Sequence, residues 1–503
     1  MHTELLTALL TLVMGSFASQ EHFQSFDDGV RPTAQQCCNS LEAVLVSSVI
    51  LYPGSSGYTD QLGSYYSLDQ ATQRPACRIA PSTAEDVALI VKYATSSRCE
   101  FAVRSGGHMS WEGSSNIGHN GFTIDLEGLK LIELQDGGET LSIAPGLTWG
   151  EVYAFLKPHG LHTVGARSPG VGVGGFLLGG GVSFLSTEHG LGSDNVLDYE
   201  VVLSNGSIVH ANKAERSDLF WALKGGSTNY GIVTRFLMPT MPLTQLWGGF
   251  LTYSANAVPQ LYERMVKVTD QLKVDPRGLM IICTAWNPAT KEHTVWALAL
   301  YLAPHEYPSP LFDGLQDIAP IGGTTRVTNL GEILDEAGQA LPKSQYSQWF
   351  TLTFKADAKL PWDVQLKGED IFGDLESSDA HWEVLVQPMN EGMFSAGQKR
   401  GGNPFGLSRT HENLCLVMLV MVFWTNPEES ALIKAKTQEY LKVSMDLARE
   451  RGLLTEFIYA NYASGTQNVL ESYGEENIKK MRAVKEKYDP NNLLEVWKGG
   501  WKL

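Results

Sequence analysis

The sequence predicts an α+β protein in two unequal parts, and three observations carry that reading. Up to about residue 240, short apolar strands alternate with short helices and abut three glycine-rich turns, the texture of a mixed α+β unit. Beyond about Met241 the strands lengthen, carry apolar residues on both faces and alternate with polar-faced helices, as expected of one antiparallel sheet covered by helices. The 503 residues also exceed the size at which a single core stops growing, about 250–300 residues, so a second core is expected.

At the N-terminus, Leu5 to Ala18 is an apolar run ending in Ser16-Phe17-Ala18, small residues of the kind a signal peptidase reads. It is too short to span a bilayer, and its first residues hold Glu4 and no Lys or Arg. Secretion is the expectation. Cys37, Cys38, Cys77 and Cys99 precede the first glycine turn and read as two disulfides, with Cys37 and Cys38 divided between Cys77 and Cys99 in an open order. Asn205-Gly206-Ser207 is the one glycosylation sequon and also a hairpin turn signal. With 38 basic and 55 acidic residues, the formal charge of -17 argues against nucleic acid and anionic membranes as partners.

Gly54 to Tyr66, rich in Gly, Ser and Tyr, reads as a wandering surface segment. Ser82-Thr83-Ala84-Glu85 is a capping box opening a helix to about Ala94. The strand Phe101 to Arg104 then stops in Ser105-Gly106-Gly107-His108, where two glycines let backbone approach a bulky charged ligand and expose N–H groups to an anion. Arg104 would add a fixed positive charge there. Phe122 to Leu126, Leu129 to Leu134 and Leu141 to Ala144 read as strands, and Thr148-Trp149-Gly150-Glu151 caps a helix to about Lys157.

A second glycine system runs from Gly170 to Gly181. Gly170, Gly172 and Gly175 satisfy G-x-G-x-x-G with Asp194 downstream, but the glycines continue where a Rossmann helix should be established, so that dinucleotide fingerprint is rejected. Backbone amides wrapped around a long ligand are the expected use. Asp198 to Leu203 and Ser207 to His210 form a hairpin, Ser217 caps a short helix, and Gly225 to Gly231 makes a third turn feeding the strand from Ile232. Later strands are expected at Leu279 to Ala285, Thr294 to Leu302, Trp349 to Phe354, His381 to Gln387, Cys415 to Trp424 and Phe457 to Tyr462. Long helices are expected at Glu428 to Arg451 and Glu476 to Tyr488.

Taken together, Arg104 to His108, the run 170–181 with His189-Gly190-Leu191 and Asp194-Asn195-Val196, Gly225 to Val233, Tyr459 to Tyr462 and Lys487 to Asn492 resemble FAD-linked oxidases of the vanillyl-alcohol-oxidase type, in their berberine-bridge-enzyme-like branch. The likeness runs from about Cys37 to Asn492. It implies a PCMH-type FAD-binding domain in two parts, 19–240 and 456–503, after a signal peptide at 1–18. A substrate domain at 241–455 is inserted between them.

The resemblance assigns FAD contacts to Val103, Arg104, Ser105, Gly106, Gly107, His108 and Ser110 in the first turn. It adds Ser168, Val171, Gly174, Gly175, Gly179, Gly180, His189, Gly190 and Asn195 in the second system. Gly231, Ile232 and Val233 follow in the third, and Asn461 in the tail. His108 matches the histidine that carries the flavin through its 8α-methyl carbon. Ser168 stands where many members carry a cysteine making a second bond, so a single link is implied.

The implied chemistry is two-electron oxidation of a small molecule, with oxygen as acceptor. The family's tyrosine facing the flavin matches Tyr462 best and Tyr459 second, with Glu383 or Gln387 assisting from alternate positions of one strand. The missing cysteine lowers the oligosaccharide-oxidase reading and favours a secondary-metabolite alcohol or an oxidative cyclisation substrate. A flavin-bearing cyclase without net oxidation is the rival. No metal site is expected, because His159 and His162 lack a third ligand nearby in sequence. Ser183 lacks a hydrolase motif. A monomer is expected.

Overall fold

The computed structural model describes residues 31–287, 290–304, 310–338, 344–375, 378–407 and 415–503. The expected signal peptide at 1–18 lies outside them. Three sheets organise the chain. The first is four-stranded, in the order Val49–Leu51, Arg78–Ala80, Phe122–Asp125, Phe101–Arg104, its last two strands parallel. The helix Ala34–Glu42 presents Cys37 and Cys38, which pair with Cys99 and Cys77 respectively. Each disulfide thus pins that helix to an edge of the first core.

The second sheet is antiparallel, in the order Ile132–Gln135, Thr140–Ile143, Ile232–Pro239, Asp198–Val202, Ile208–Asn212. Its last two strands are the expected Asn205-Gly206 hairpin, with Gly206 at φ +80°. At the Thr148 cap both capping-box hydrogen bonds form, and the helix spans Trp149–Leu156. The helix Ala84–Ser97 instead starts one residue later than expected, because Thr83 is its cap and accepts from Asp86 N. Ser217 is the first helical residue rather than the cap, Arg216 taking that place in a left-handed conformation.

The third sheet is antiparallel throughout, its central order Gln245–Tyr253, Glu292–Tyr301, Gly278–Asn287, His381–Met389, Cys415–Trp424, Tyr346–Lys355. Strand alternation sorts its two faces. Val384, Val386, Val420 and Val422 join the core built with helices Val258–Gln271, Leu360–Phe372 and Ser430–Glu450. Leu385, Leu419, Met421 and Phe423 point the other way, against Tyr66 and Tyr462. That second face carries the functional interest.

Two expectations need correction. Gly54 to Tyr66 is not a surface wanderer: Ser55 caps a helix Ser56–Gly63, and Tyr58, Leu62 and Tyr65 are buried. Their spacing of four and three residues is a helical stripe that the Gly/Ser content obscures. Phe457 to Tyr462 is not a strand either, since Ala460–Tyr462 is a 3-10 turn in which Tyr462 N donates to Tyr459 O at 3.1 Å. The turn brings the rings of Tyr459 and Tyr462 edge to face, 4.7 Å apart, where a strand would set them on opposite faces.

Candidate functional site

The first two glycine turns meet backbone to backbone. A Cβ on Gly106 would lie 2.4 Å from Gly172 N, and one on Gly172 would lie 2.2 Å from Gly106 N. Ser105 laces the same junction, donating from Oγ to Pro145 O at 2.6 Å and accepting from Gly174 N at 3.1 Å. Val171 O accepts from Trp149 N at 2.9 Å, anchoring the second turn to the capped helix. Gly107 takes φ +63°, which delivers His108 to the rim. Gly172 then caps a six-residue helix, Val173–Leu178.

The tail closes on this junction. Asn461 sits so tightly on Gly179 that a Cβ there would lie 1.9 Å from its Oδ1, while its Nδ2 donates to Phe176 O. Gly180, at φ +110°, faces Phe405 and Tyr459. The third turn joins through Ser227 N, which donates to Leu178 O at 3.3 Å, and through Gly225, which also packs on Phe405. Gly231 takes φ +142° against Val202 O, and Ile232 and Val233 are buried in the strand that follows.

His108 stacks on Tyr66 at 4.2 Å, with Trp349 next to it at 6.1 Å. Loss of hydration in this packed corner lowers the His108 pKa from its ordinary value to about 4. One guanidinium nitrogen of Arg167 donates to Gln387 Oε1 and the other to Tyr462 Oη, which packs on the same sheet face as Tyr66. Glu383 lies on the same strand face as Gln387; burial pushes its carboxyl up, and its one hydrogen-bond neighbour is Cys283 Sγ at 3.8 Å. Tyr459 is 2% exposed and accepts from Val182 N at 2.6 Å, and burial drives its phenol well above the ordinary range.

Not every expected residue faces this cavity. Arg104 contributes no free charge to the turn, because Nη1 is bound to Asp125 Oδ2 at 2.8 Å and Nη2 to Ser64 Oγ at 2.6 Å. Arg78 shares the same carboxylate at 2.6 Å, so the first turn rests on a buried Arg-Asp-Arg cluster. Asn195 donates to His189 O and Leu191 O and accepts from Arg400, which ties the His189-Gly190 segment into a loop rather than opening it to a ligand. Asp194, the false ribose acid, accepts from Leu191 N and Asn403 Nδ2.

Sequence reasoning missed Tyr66, Arg167 and Trp349. Arg167 carried a signal: it is the only Lys or Arg between Lys157 and Lys213, directly before Ser168. Several buried polar atoms of this region have no hydrogen-bond partner, namely Ser110 Oγ, Ser168 Oγ, Tyr66 Oη, Gln387 Nε2 and Asn461 Oδ1. Each such group costs about 1–3 kcal/mol when left unpaired, so their clustering marks a place for a polar, extended ligand.

Residues 75–212 match the FAD binding domain family. Over 98% of its length the chain is 32% identical to the FAD-dependent monooxygenase drtC of Aspergillus calidoustus, and it covers 95% of that protein. Its fold is similar to 6-hydroxy-D-nicotine oxidase from Arthrobacter nicotinovorans, with a TM-score of 0.74 at 23% identity over 90% of this chain and 97% of the other. It is also similar to berberine bridge enzyme from Eschscholzia californica, with a TM-score of 0.72 at 18% identity over 91% and 96% of the two chains.

The FAD binding domain and the 32% identity to a monooxygenase over nearly the whole chain define an FAD-dependent oxidoreductase. The chain belongs to the FAD-dependent monooxygenase family of its curated relatives, and it shares the fold of berberine bridge enzyme. The residues present fit the cofactor: Tyr66, stacked on His108, and Ser168, on the glycine segment that approaches it, each keep a buried oxygen without a partner.

Proposed function

We propose that the protein carries FAD on a single covalent bond to His108 and oxidises a small, largely apolar organic molecule by two electrons. The observation that carries this reading is His108 itself, set at the contact of the Gly106 and Gly172 turns beneath an apolar wall of the third sheet. Bound there, FAD supplies a hydride acceptor that returns its electrons to oxygen. With its pKa lowered to about 4, His108 is neutral near pH 7 and keeps a ring lone pair for attachment. Ser168 offers no thiol, so the flavin has one tether.

Tyr462 takes the substrate proton at its phenol oxygen as its own phenol proton passes to solvent, and Gln387 helps orient it through their shared partner Arg167. Tyr459 packs beneath instead, its oxygen committed to Val182 N. Glu383, with its carboxyl pushed up by burial, stands close enough to Tyr66 to raise the pKa of its phenol. Trp349, Leu419, Met421 and Phe423 exclude water and favour an apolar substrate over a sugar chain. The two disulfides suit an oxidising compartment, so we place the mature chain in the secretory pathway as a monomer.

The test is acid precipitation of the purified holoprotein. A yellow pellet is expected, and His108→Ala should release all flavin into the supernatant; a colourless pellet from the unaltered protein would overturn the attachment. Tyr462→Phe should keep the colour while slowing anaerobic flavin bleaching about 10²–10⁴-fold, measured with any aromatic alcohol or enol from a panel that bleaches the parent. Bleaching at the parent rate would move the proton acceptor elsewhere.

A further inference from the structure

Arg167 stands apart from the other buried arginines. Arg78 and Arg104 share the Asp125 carboxylate, whereas the side-chain acceptors of Arg167 are an amide oxygen, Gln387 Oε1, and a phenol oxygen, Tyr462 Oη. Among the described residues no carboxylate lies within ion-pair distance of it. Its guanidinium sits 5.9 Å from the Phe184 ring centroid, so part of its surroundings is aromatic. Glu383, the carboxyl on the same strand face as Gln387, is directed to Cys283 instead.

A guanidinium carries five N–H donors, and the two hydrogen bonds to Gln387 and Tyr462 leave others free. They also hold its planar fork in one orientation, which removes much of the entropy cost of catching a ligand. A partly buried cation without a counter-ion is unfavourable until an anion joins it. The sheet face against Tyr462 carries Leu419, Met421 and Phe423, an apolar surrounding in which such a pair would be strengthened.

We propose that Arg167 is the specificity-determining cation of the site, receiving an anionic oxygen of the substrate: a carboxylate, phenolate or enolate. The inference rests on the reading that the cavity above His108 holds the substrate. Negative charge could also come from the flavin, and the two sources are separable. The substrate assignment is favoured because the fork is held by Tyr462 and Gln387, which face the sheet wall.

The test titrates purified holoenzyme with benzoate and with benzyl alcohol, reading the perturbation of flavin absorbance. Benzoate should bind at least about tenfold more tightly than the alcohol. Arg167→Gln should weaken benzoate about 10–100-fold and the alcohol by a factor at least about fivefold smaller, while Arg167→Lys keeps part of the benzoate affinity. Sulfite affinity, which reports positive charge at the flavin without any substrate, should not change in Arg167→Gln. Equal binding of both probes, or equal weakening of both, overturns the inference. So does a fall in sulfite affinity matching the loss of benzoate, which would assign the charge to the flavin. Perturbation by neither probe overturns the reading of the cavity itself, and the inference with it.

Discussion

Asp125→Ala is expected to destabilise the protein by about 3–5 kcal/mol, read as a lowered denaturation midpoint with an unchanged denaturant slope. Asp125 is fully buried and its Oδ2 binds Arg78 Nη2 at 2.6 Å and Arg104 Nη1 at 2.8 Å, so its loss strands two buried cations at once. Its Oδ1 also accepts from Glu127 N at 3.1 Å, stopping the strand Phe122–Asp125 in a 3-10 turn. Arg104 and Asp125 are register partners on parallel strands, and Arg104 is the residue from which the first glycine turn departs. Flavin retention should therefore fall with stability. A loss below about 1 kcal/mol would mean that the cluster is solvated or re-pairs in solution.

The second large effect is expected at Gly172→Ala. Its Cβ would lie 2.2 Å from Gly106 N, 2.6 Å from Gly106 Cα and 2.8 Å from Ser105 Oγ. Two of those contacts are backbone, which cannot step aside by changing rotamer, so the turns must separate. The Ser105–Gly174 hydrogen bond then breaks and His108 moves off its mark. The acid-stable flavin-to-protein absorbance ratio should drop at least about tenfold, given how steeply attachment depends on placement. Gly175→Ala separates contact strain from loss of a glycine: its Cβ meets nothing within 4 Å, and the folding midpoint should hold. A normal flavin ratio in Gly172→Ala would show that the turns do not need this contact.

Much of the framework was legible because it depends on short-range chemistry. The Thr148–Glu151 cap, the Asn205-Gly206 hairpin and the long strand Cys415–Trp424 are written in adjacent residues, and local rules read them. Misreadings came where composition and period disagreed. Gly and Ser hid the helical stripe of Tyr58, Leu62 and Tyr65, and the apolar content of Phe457 to Tyr462 suggested a strand where the chain turns. The family likeness ranked Tyr462 ahead of Tyr459, and their partners give the physical difference: Arg167 for the first, Val182 N for the second.

Sequence patterns alone were sufficient for the α+β class, the three glycine turns and the cysteine cluster, because glycine permissiveness and motif spacing are properties of the chain itself. Tertiary structure was needed to decide what each charge does. Arg104, adjacent to the turn, is neutralised by a carboxylate 21 residues away, while Arg167, unremarked among glycines, meets Gln387 and Tyr462 from 220 and 295 residues away. Electrostatic roles depend on distance and burial in space, and those are established only when the third sheet and the tail close over the glycine turns.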